Sequence, residues 1–499
     1  MKVVLDITRM LRRSSQSTPT GIDRVELAYA RHLLGSRAYK DRVAFVARVR
    51  ASTWYFDADA VAGFTETLTR RWKHAEGRVT RRELGNIERF LDLAPGALTD
   101  IEPETPPRAA LPDVLPTLKR LFSPVNLLPR LLRPRNSQGA VYLNVSHEGL
   151  GSGNGMRAMM RGHGLKPIYL VHDLIPLTHP EYVRPGDAEK HETRMRTVLA
   201  SAEMVICNSH HTLDQLSAFA ARSDMAMPAN VVSPLGVENE FGVQELAMPE
   251  VHPYFLTVGT IEPRKNHLVL LHAWRVLVEK LGPKAPKLII VGRRGWENEN
   301  VIDIIERCRN LGGHVLECNR LPDAHLRRLM KQARGVLFPS FAEGYGLPLF
   351  EAMALRVPVI CSDLQAFRDI AGEAPCYLDP IDGLGWARVI EDYARPDSAA
   401  RDSQLRLLAQ TRVPRWKDHF SIIDGIIDAV AAPAGEVRAP SPSWQPAISF
   451  ERSKELIAAG ELTDAGRALS LIAAQPHSST RWSVAESSAS SSYPGRIGA

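Results

Sequence analysis

The chain has 499 residues, of which 44% are hydrophobic, 24% charged and 7% aromatic, with a formal net charge of +6. That is the composition of an ordinary globular protein, which excludes a disordered, collagen-like or coiled-coil chain, and the length suits two or three domains. The positive surplus is read either as plain surface balance or as a preference for anionic partners such as phosphorylated substrates or acidic lipid.

The opening MKVVLDITRMLRRSSQ carries charge inside its apolar run, unlike a secretory leader. No stretch reaches the 18 or so apolar residues of a spanning helix. Five cysteines, Cys207, Cys308, Cys318, Cys361 and Cys376, are scattered without C-x-x-C spacing, which points to reduced thiols in a cytoplasmic protein rather than a disulfide frame or a zinc site.

In chain order, strands are expected at Val3–Ile7, Arg42–Arg48, Ala140–Val145, Pro167–Val171 and Ala202–Asn208, with helices at Ile22–Leu34 and from Ser209. A second series is expected at Tyr254–Val258, Lys287–Val291, His314–Cys318, Gly335–Pro339 and Pro358–Cys361. A hinge falls near Glu238–Glu250, and a helix over Trp416–Val430. Strands alternating with helices predict parallel sheets of the α/β class. Residues 103–135 break the rhythm: Arg108, Lys119, Arg120, Arg130, Arg133 and Arg135 face only Glu104 and Asp113 among many prolines. This basic stretch is read either as a contact for an anionic membrane surface, over 108–135, or as a solvated surface loop. Residues 432–447 read as a Pro/Ser-rich linker, 448–473 as a helical hairpin and 474–499 as a disordered Ser-rich tail.

The strongest chemical signal is Phe341–Met353, FAEGYGLPLFEAM. Glu343 and Glu351 stand on either side of a turn forced by Gly344, Gly346 and Pro348, which opens into a helix whose free N–H groups suit an anion. Upstream, GTIEPRKNH places Gly259, Arg264 and Lys265 between a strand and a helix, where a guanidinium fork and an ammonium can hold phosphate. GRRGW follows another strand and contains Gly292. In the first half, LVHDLIP places His172 and Asp173 at a strand end, and TGIDR places Gly21 before a helix.

These strings resemble the E-x7-E signature and accompanying motifs of family 4 retaining glycosyltransferases of the GT-B fold. The resemblance covers roughly residues 1–430 and is densest in 252–380. It implies two Rossmann-like domains facing a central cleft: residues 1–240 on the acceptor side, 250–415 on the donor side, and a helix at 416–431 crossing back. It implies that His172, Glu343, Arg264 and Lys265 carry the catalysis. Glu343 would contact the transferred sugar, and Glu351 the ribose. Gly21, Gly259, Gly292, Arg264, Lys265 and the turn Gly344, Tyr345, Gly346 and Leu347 would surround the donor diphosphate. The segment holding Arg320 and Leu321 would approach the base, although Arg320 reads equally as a surface residue. Many members have two glycines where this chain has Gly21 alone.

The resemblance further implies retention of anomeric configuration, a GDP- or UDP-sugar donor and no bound cofactor or metal. Mannosyl is the favoured group. The acceptor would be a bacterial glycan or a polyprenyl-diphosphate-linked glycan, met at the inner face of the membrane. Asp57-Ala58-Asp59 matches a manganese-binding D-x-D pattern without other support. A nicotinamide dehydrogenase would need G-x-G-x-x-G, and the cluster Gly149, Gly151, Gly153 and Gly155 does not fit it. A catalytically silent scaffold in a polysaccharide assembly complex is the alternative, against which the intact charged residues argue. No aromatic–basic interleaving supports nucleic acid as a partner.

Overall fold

The computed structural model describes residues 2–16, 19–49, 52–76, 81–93, 98, 118, 121, 137–238, 252–319 and 321–431. The first sheet contains β1 (Val3–Asp6), β2 (Val43–Val49), β3 (Ser52–Phe56), β4 (Val141–Asn144), β5 (Lys166–Val171), β6 (Met204–Cys207) and β7 (Ala229–Val232), in the order β3-β2-β1-β4-β5-β6-β7. All its neighbours are parallel except β2 and β3. The second sheet contains β8 (Tyr254–Val258), β9 (Lys287–Val291), β10 (Val315–Cys318), β11 (Gly335–Phe338), β12 (Val359–Ser362) and β13 (Cys376–Leu378), all parallel, in the order β10-β9-β8-β11-β12-β13. Both orders reverse once, between β1 and β4 and between β8 and β11. The crevice at such a reversal, beyond the carboxyl ends of the strands, is where open α/β sheets bind ligands.

The strands are short unbroken apolar runs because helices cover both faces of each sheet. Val3 and Leu5 join the core on one side of the first sheet, and Val4 the core on the other. In β9, Leu288 and Ile290 point to one core and Ile289 and Val291 to the next. Helix Gly21–Gly35 starts at a reciprocal cap: the Thr20 N–H donates to Asp23 at 2.8 Å, while the Thr20 hydroxyl accepts from the Asp23 N–H. Helix His210–Arg222 is capped by Ser209.

Three strands escape the sequence reading. Ala229–Val232 and Cys376–Leu378 are too short for a periodic signal. Ser52–Phe56 turns back on β2 as an antiparallel edge, its aromatic and β-branched residues matching strand preference. Asp57 and Asp59 follow it at the start of helix Ala58–Glu76. Arg320, all of the 103–135 stretch except Leu118 and Leu121, and everything after residue 431 lie outside the described residues. Leu121 is buried in the core and Leu118 packs against it. Among the described residues, no helix is long and apolar enough to cross a membrane.

Two connections join the halves beside one another. The Val237 N–H donates to the Pro414 carbonyl, and a β-carbon on Gly236 would lie only 2.0 Å from the Trp416 nitrogen. Helix Trp416–Ala431 then returns to the first sheet. Its buried His419 faces the Tyr29 hydroxyl at 2.8 Å and the Ser233 hydroxyl at 2.7 Å, and Asp424 accepts from Tyr39 at 2.6 Å. A further crossing comes from the segment after helix Arg81–Phe90. Lys287 on β9 donates to Asp92 at 2.5 Å and to the Phe90 carbonyl, and His325 bonds the Leu98 carbonyl.

Candidate active site

The site forms where the reversal of the second sheet faces the first. A 3-10 turn at Pro263–Lys265 follows β8 and ends at Asn266, whose backbone is left-handed (φ 51°). The Asn266 amide ties this turn to the Pro339 and Pro380 carbonyls at 3.0 and 2.8 Å. Arg264 and Lys265 are thereby aimed at the loop after β11. Arg264 donates to Glu343 at 2.8 Å, to the Ala342 carbonyl at 2.6 Å and to Glu262 at 2.8 Å. Lys265 reaches the other Glu343 oxygen at 2.5 Å, which also accepts from Ser340 at 2.7 Å.

The Glu343 side chain is 7% exposed, against 18% for Arg264 and 17% for Lys265. Burial pushes the Glu343 carboxyl up, but the Arg264 and Lys265 charges outweigh it and hold it at about 2. Burial wins at Lys265, whose ammonium is pulled below its usual range despite Glu343. Such a carboxylate and two cations, poised at a helix start, can share charge with an arriving anion.

The glycines of the turns have distinct reasons. A β-carbon on Gly292 would strike the Gly259 carbonyl at 1.7 Å, so this glycine lets the two strand-ends touch. Gly259 lies beside the Lys265 side chain, and Gly346 is left-handed (φ 91°) against Phe367. Gly21 meets Leu347 across the cleft, a distance of 3.6 Å from its would-be β-carbon. The Tyr345 side chain leaves the turn altogether: it is buried, and its hydroxyl donates to the Leu235 carbonyl at 2.5 Å. Leu321 is packed into the core. The side chains of Tyr345 and Leu321 are therefore both committed to packing. Glu351 lies one turn into helix Leu347–Ala354. Burial raises its carboxyl, and the Arg24 charge from the first half pulls it down. Arg24 itself pairs across the cleft with Asp323 at 3.2 Å.

His172 directly follows β5 and is buried, its Nε2–H donating to the Val145 carbonyl at 2.7 Å. Burial pushes this imidazole down, so it is neutral, with Nδ1 left as the acceptor. Gly344 of the second half packs directly on the His172 carbonyl and on Asp173. The structure thus brings His172, Arg264, Lys265, Glu343 and Gly344 to one place.

Sequence reasoning missed several neighbours. His147 and His191 gather round His172, with ring centroids 5.4 Å (His147–His172) and 5.7 Å (His147–His191) apart. His147 is held at φ 59°, a strained backbone of the kind found at functional sites. No local pattern announces it, beyond its place at a strand end. Beneath lie two buried carboxyls: Asp6, which accepts from Thr8 and Tyr142, and Glu26, whose oxygens find no partner among the described residues. Burial raises the Asp6 carboxyl and pushes that of Glu26 well above the ordinary carboxylate range. Across the cleft, Tyr182 stacks on Phe341 and Arg184 lies over Trp296.

Comparisons with known proteins agree with this fold. Residues 239–377 match the family described as Glycosyl transferases group 1. The O-antigen chain mannosyltransferase B of Escherichia coli is 31% identical over 267 residues, covering 51% of this chain and 68% of that protein. The serotype-specific mannosyltransferase WbdA of Escherichia coli is 28% identical over 249 residues, covering 47% of this chain but only 30% of WbdA, so the chain matches less than a third of that relative's length. Among solved structures, Anabaena HepE in complex with UDP and glucose superposes with a TM-score of 0.50 at 14% identity, covering 86% of this chain and 100% of that one. The Candida albicans trehalose-6-phosphate phosphatase N-terminal domain gives 0.52 at 13% identity, covering 86% and 97%. These likenesses show the fold, and the two reversing, largely parallel sheets are that fold. The chain belongs to the group 1 glycosyl transferases, the family 4 enzymes of GT-B fold, and is similar to the O-antigen mannosyltransferases among them.

Proposed function

We propose that this glycosyltransferase moves a hexosyl group, mannosyl in the favoured reading, from a GDP- or UDP-sugar to a growing bacterial polysaccharide or lipid-linked oligosaccharide, with retention of configuration. The observation that carries this reading is the clamp of Arg264 and Lys265 on Glu343 at the mouth of the second-sheet crevice. The O-antigen relatives, named as mannosyltransferases, support the choice of sugar.

In this reading the donor diphosphate settles against Arg264 and Lys265, so that both cations face phosphate on one side and Glu343 on the other. As the glycosidic bond breaks, charge grows on the leaving phosphate oxygen, and the two fixed cations stabilise it. That placement makes a divalent metal unnecessary. Glu343, ionised throughout, accepts from hydroxyls of the transferred sugar and Glu351 from the ribose. The acceptor hydroxyl attacks on the face the diphosphate leaves, and its proton passes to the departing phosphate oxygen. Neutral His172 accepts a hydrogen bond from a sugar hydroxyl at its Nδ1 and contributes no charge. The segments 1–240 and 250–415 act as acceptor and donor halves, with 416–431 as the return helix.

The test is transfer from GDP-mannose, UDP-glucose and UDP-N-acetylglucosamine to a mannoside acceptor, with the anomeric configuration of the product read by NMR. An axial linkage from an axial donor supports the reading. An inverted linkage rules out the retaining step, and no transfer from any nucleotide sugar favours the silent scaffold.

A further inference from the structure

A second cavity of about 780 Å³ opens at the reversal of the first sheet, beyond the ends of β1, β2 and β4. Its charged lining is Arg12, Arg48, Lys190 and Arg194 against Glu148 and Glu189. Arg12 is paired with Glu148, and Lys190 with Asp187. Among the described residues, Arg48 and Arg194 have no carboxylate in ion-pair contact, and Arg48 spends one N–H on the neutral Gly149 carbonyl. The net charge of the cavity wall is therefore positive, and it is concentrated in two guanidinium groups.

Two glycines of the cluster that fits no dinucleotide pattern, Gly149 and Gly151, line this wall together with Thr8, Ser152 and Thr193. Gly149 is left-handed (φ 80°), and a β-carbon there would meet the Arg48 side chain at 3.2 Å. Gly151 faces open space, and Ser152 leads into helix Gly153–His163 without using its side chain as a cap and with no acidic residue in the first turn. The residues that open this eleven-residue helix, Gly151 and Ser152, line the same cavity as the two arginines, and the unpaired N–H groups of a helix start favour an anion. The cavity also adjoins the reacting centre. Glu148 follows His147, whose ring lies 5.4 Å from that of His172, and the Arg194 charge is felt by both His147 and His191.

We infer that this cavity binds the phosphate of an anionic acceptor, held by Arg48, Arg194 and the Gly149–Gly153 helix entrance, with the attacking sugar turned toward His147 and His172. The inference rests on the donor reading above and names the chemistry of the other substrate. A lipid-carrier diphosphate and a phosphate within the glycan share that chemistry.

The test is calorimetric titration of the full chain with geranyl diphosphate, α-mannose 1-phosphate and uncharged methyl α-mannoside. A saturating nucleoside diphosphate, chosen as the one that raises the melting temperature, is present to fill the donor site. The expected result is at least tenfold tighter binding of one or both anions than of methyl α-mannoside. That preference is lost in Arg48→Gln with Arg194→Gln, and also in Thr193→Asp, which adds negative charge at the exposed rim without disturbing the packing. Tighter binding of geranyl diphosphate names the lipid carrier as the source, and tighter binding of mannose 1-phosphate names a phosphorylated glycan. Equal binding of charged and uncharged probes, or a preference that survives in both variants, overturns the inference. An unchanged nucleotide melting shift shows that the variants are folded. Absence of that shift in the wild-type chain counts against the donor reading, whereas its presence beside absent anion binding counts against this cavity alone.

Discussion

Gly344 and His172 touch across the cleft: a β-carbon on Gly344 would lie 2.6 Å from the His172 carbonyl oxygen and equally close to the Asp173 β-carbon. The donor turn of the second half is thus seated on the strand end of the first. Gly344→Ala must push the two apart, a misfit of about 1–3 kcal/mol by comparison with overpacked cores. The expected outcome is a turnover drop of at least tenfold, with a lower melting temperature. Gly313→Ala, which meets nothing within 4 Å, is the control and leaves both unchanged.

Lys265 and Arg264 divide the two Glu343 oxygens between them. In the proposed reading Lys265 acts on the leaving group, so in Lys265→Ala kcat is expected to fall on the order of 100-fold, with a smaller change in KM. Steady-state kinetics checks this. A variant that loses only donor affinity assigns Lys265 to ground-state binding instead.

Glu351→Ala is expected to weaken nucleotide binding about tenfold, the worth of one hydrogen bond to a charged acceptor. The comparison to make is the dissociation constant for the nucleotide against that for its 2′,3′-dideoxy analogue. If Glu351 holds the ribose, the variant binds both equally.

The buried histidines set the acid limit. Burial holds both His267 and His419 at about 3, well under the ordinary 6.5. In the unfolded chain these rings bind protons below pH 6.5, and in the folded protein they do not, so stability rises with pH through this range. Their contribution is fully present above pH 6.5 and is lost progressively as the pH falls toward 3. Melting temperatures measured from pH 7.5 to 4.5 are expected to fall steeply below 6.5, and less steeply in His419→Gln. A flat profile in the wild type contradicts this.

Much of the donor half was legible because its chemistry sits in contiguous strings. FAEGYGLPLFEAM and GTIEPRKNH each carry their own turn, so a strand, a glycine and a charge appear within ten residues or so. What was not legible depends on partners far apart in the chain. Tyr345 reads as a donor residue by position, but its hydroxyl bonds Leu235 of the first half. Leu321 belongs by resemblance to the segment that would approach the base, and its side chain is core. Gly292 owes its identity to the Gly259 carbonyl, which no spacing reveals. His147 owes its place to a left-handed backbone, and the helix Arg81–Phe90 belongs by sequence to the half opposite the one its neighbour Asp92 grips.

The most direct measurement is the melting temperature of the full chain with UDP, GDP, ADP, TDP and CMP, with and without manganese, in the wild type and in Arg264→Ala. The account predicts that one diphosphate raises it, by the same amount without metal, and that the rise disappears in Arg264→Ala. No rise with any nucleotide, or one that persists in Arg264→Ala, would contradict a donor site at Arg264, Lys265 and Glu343.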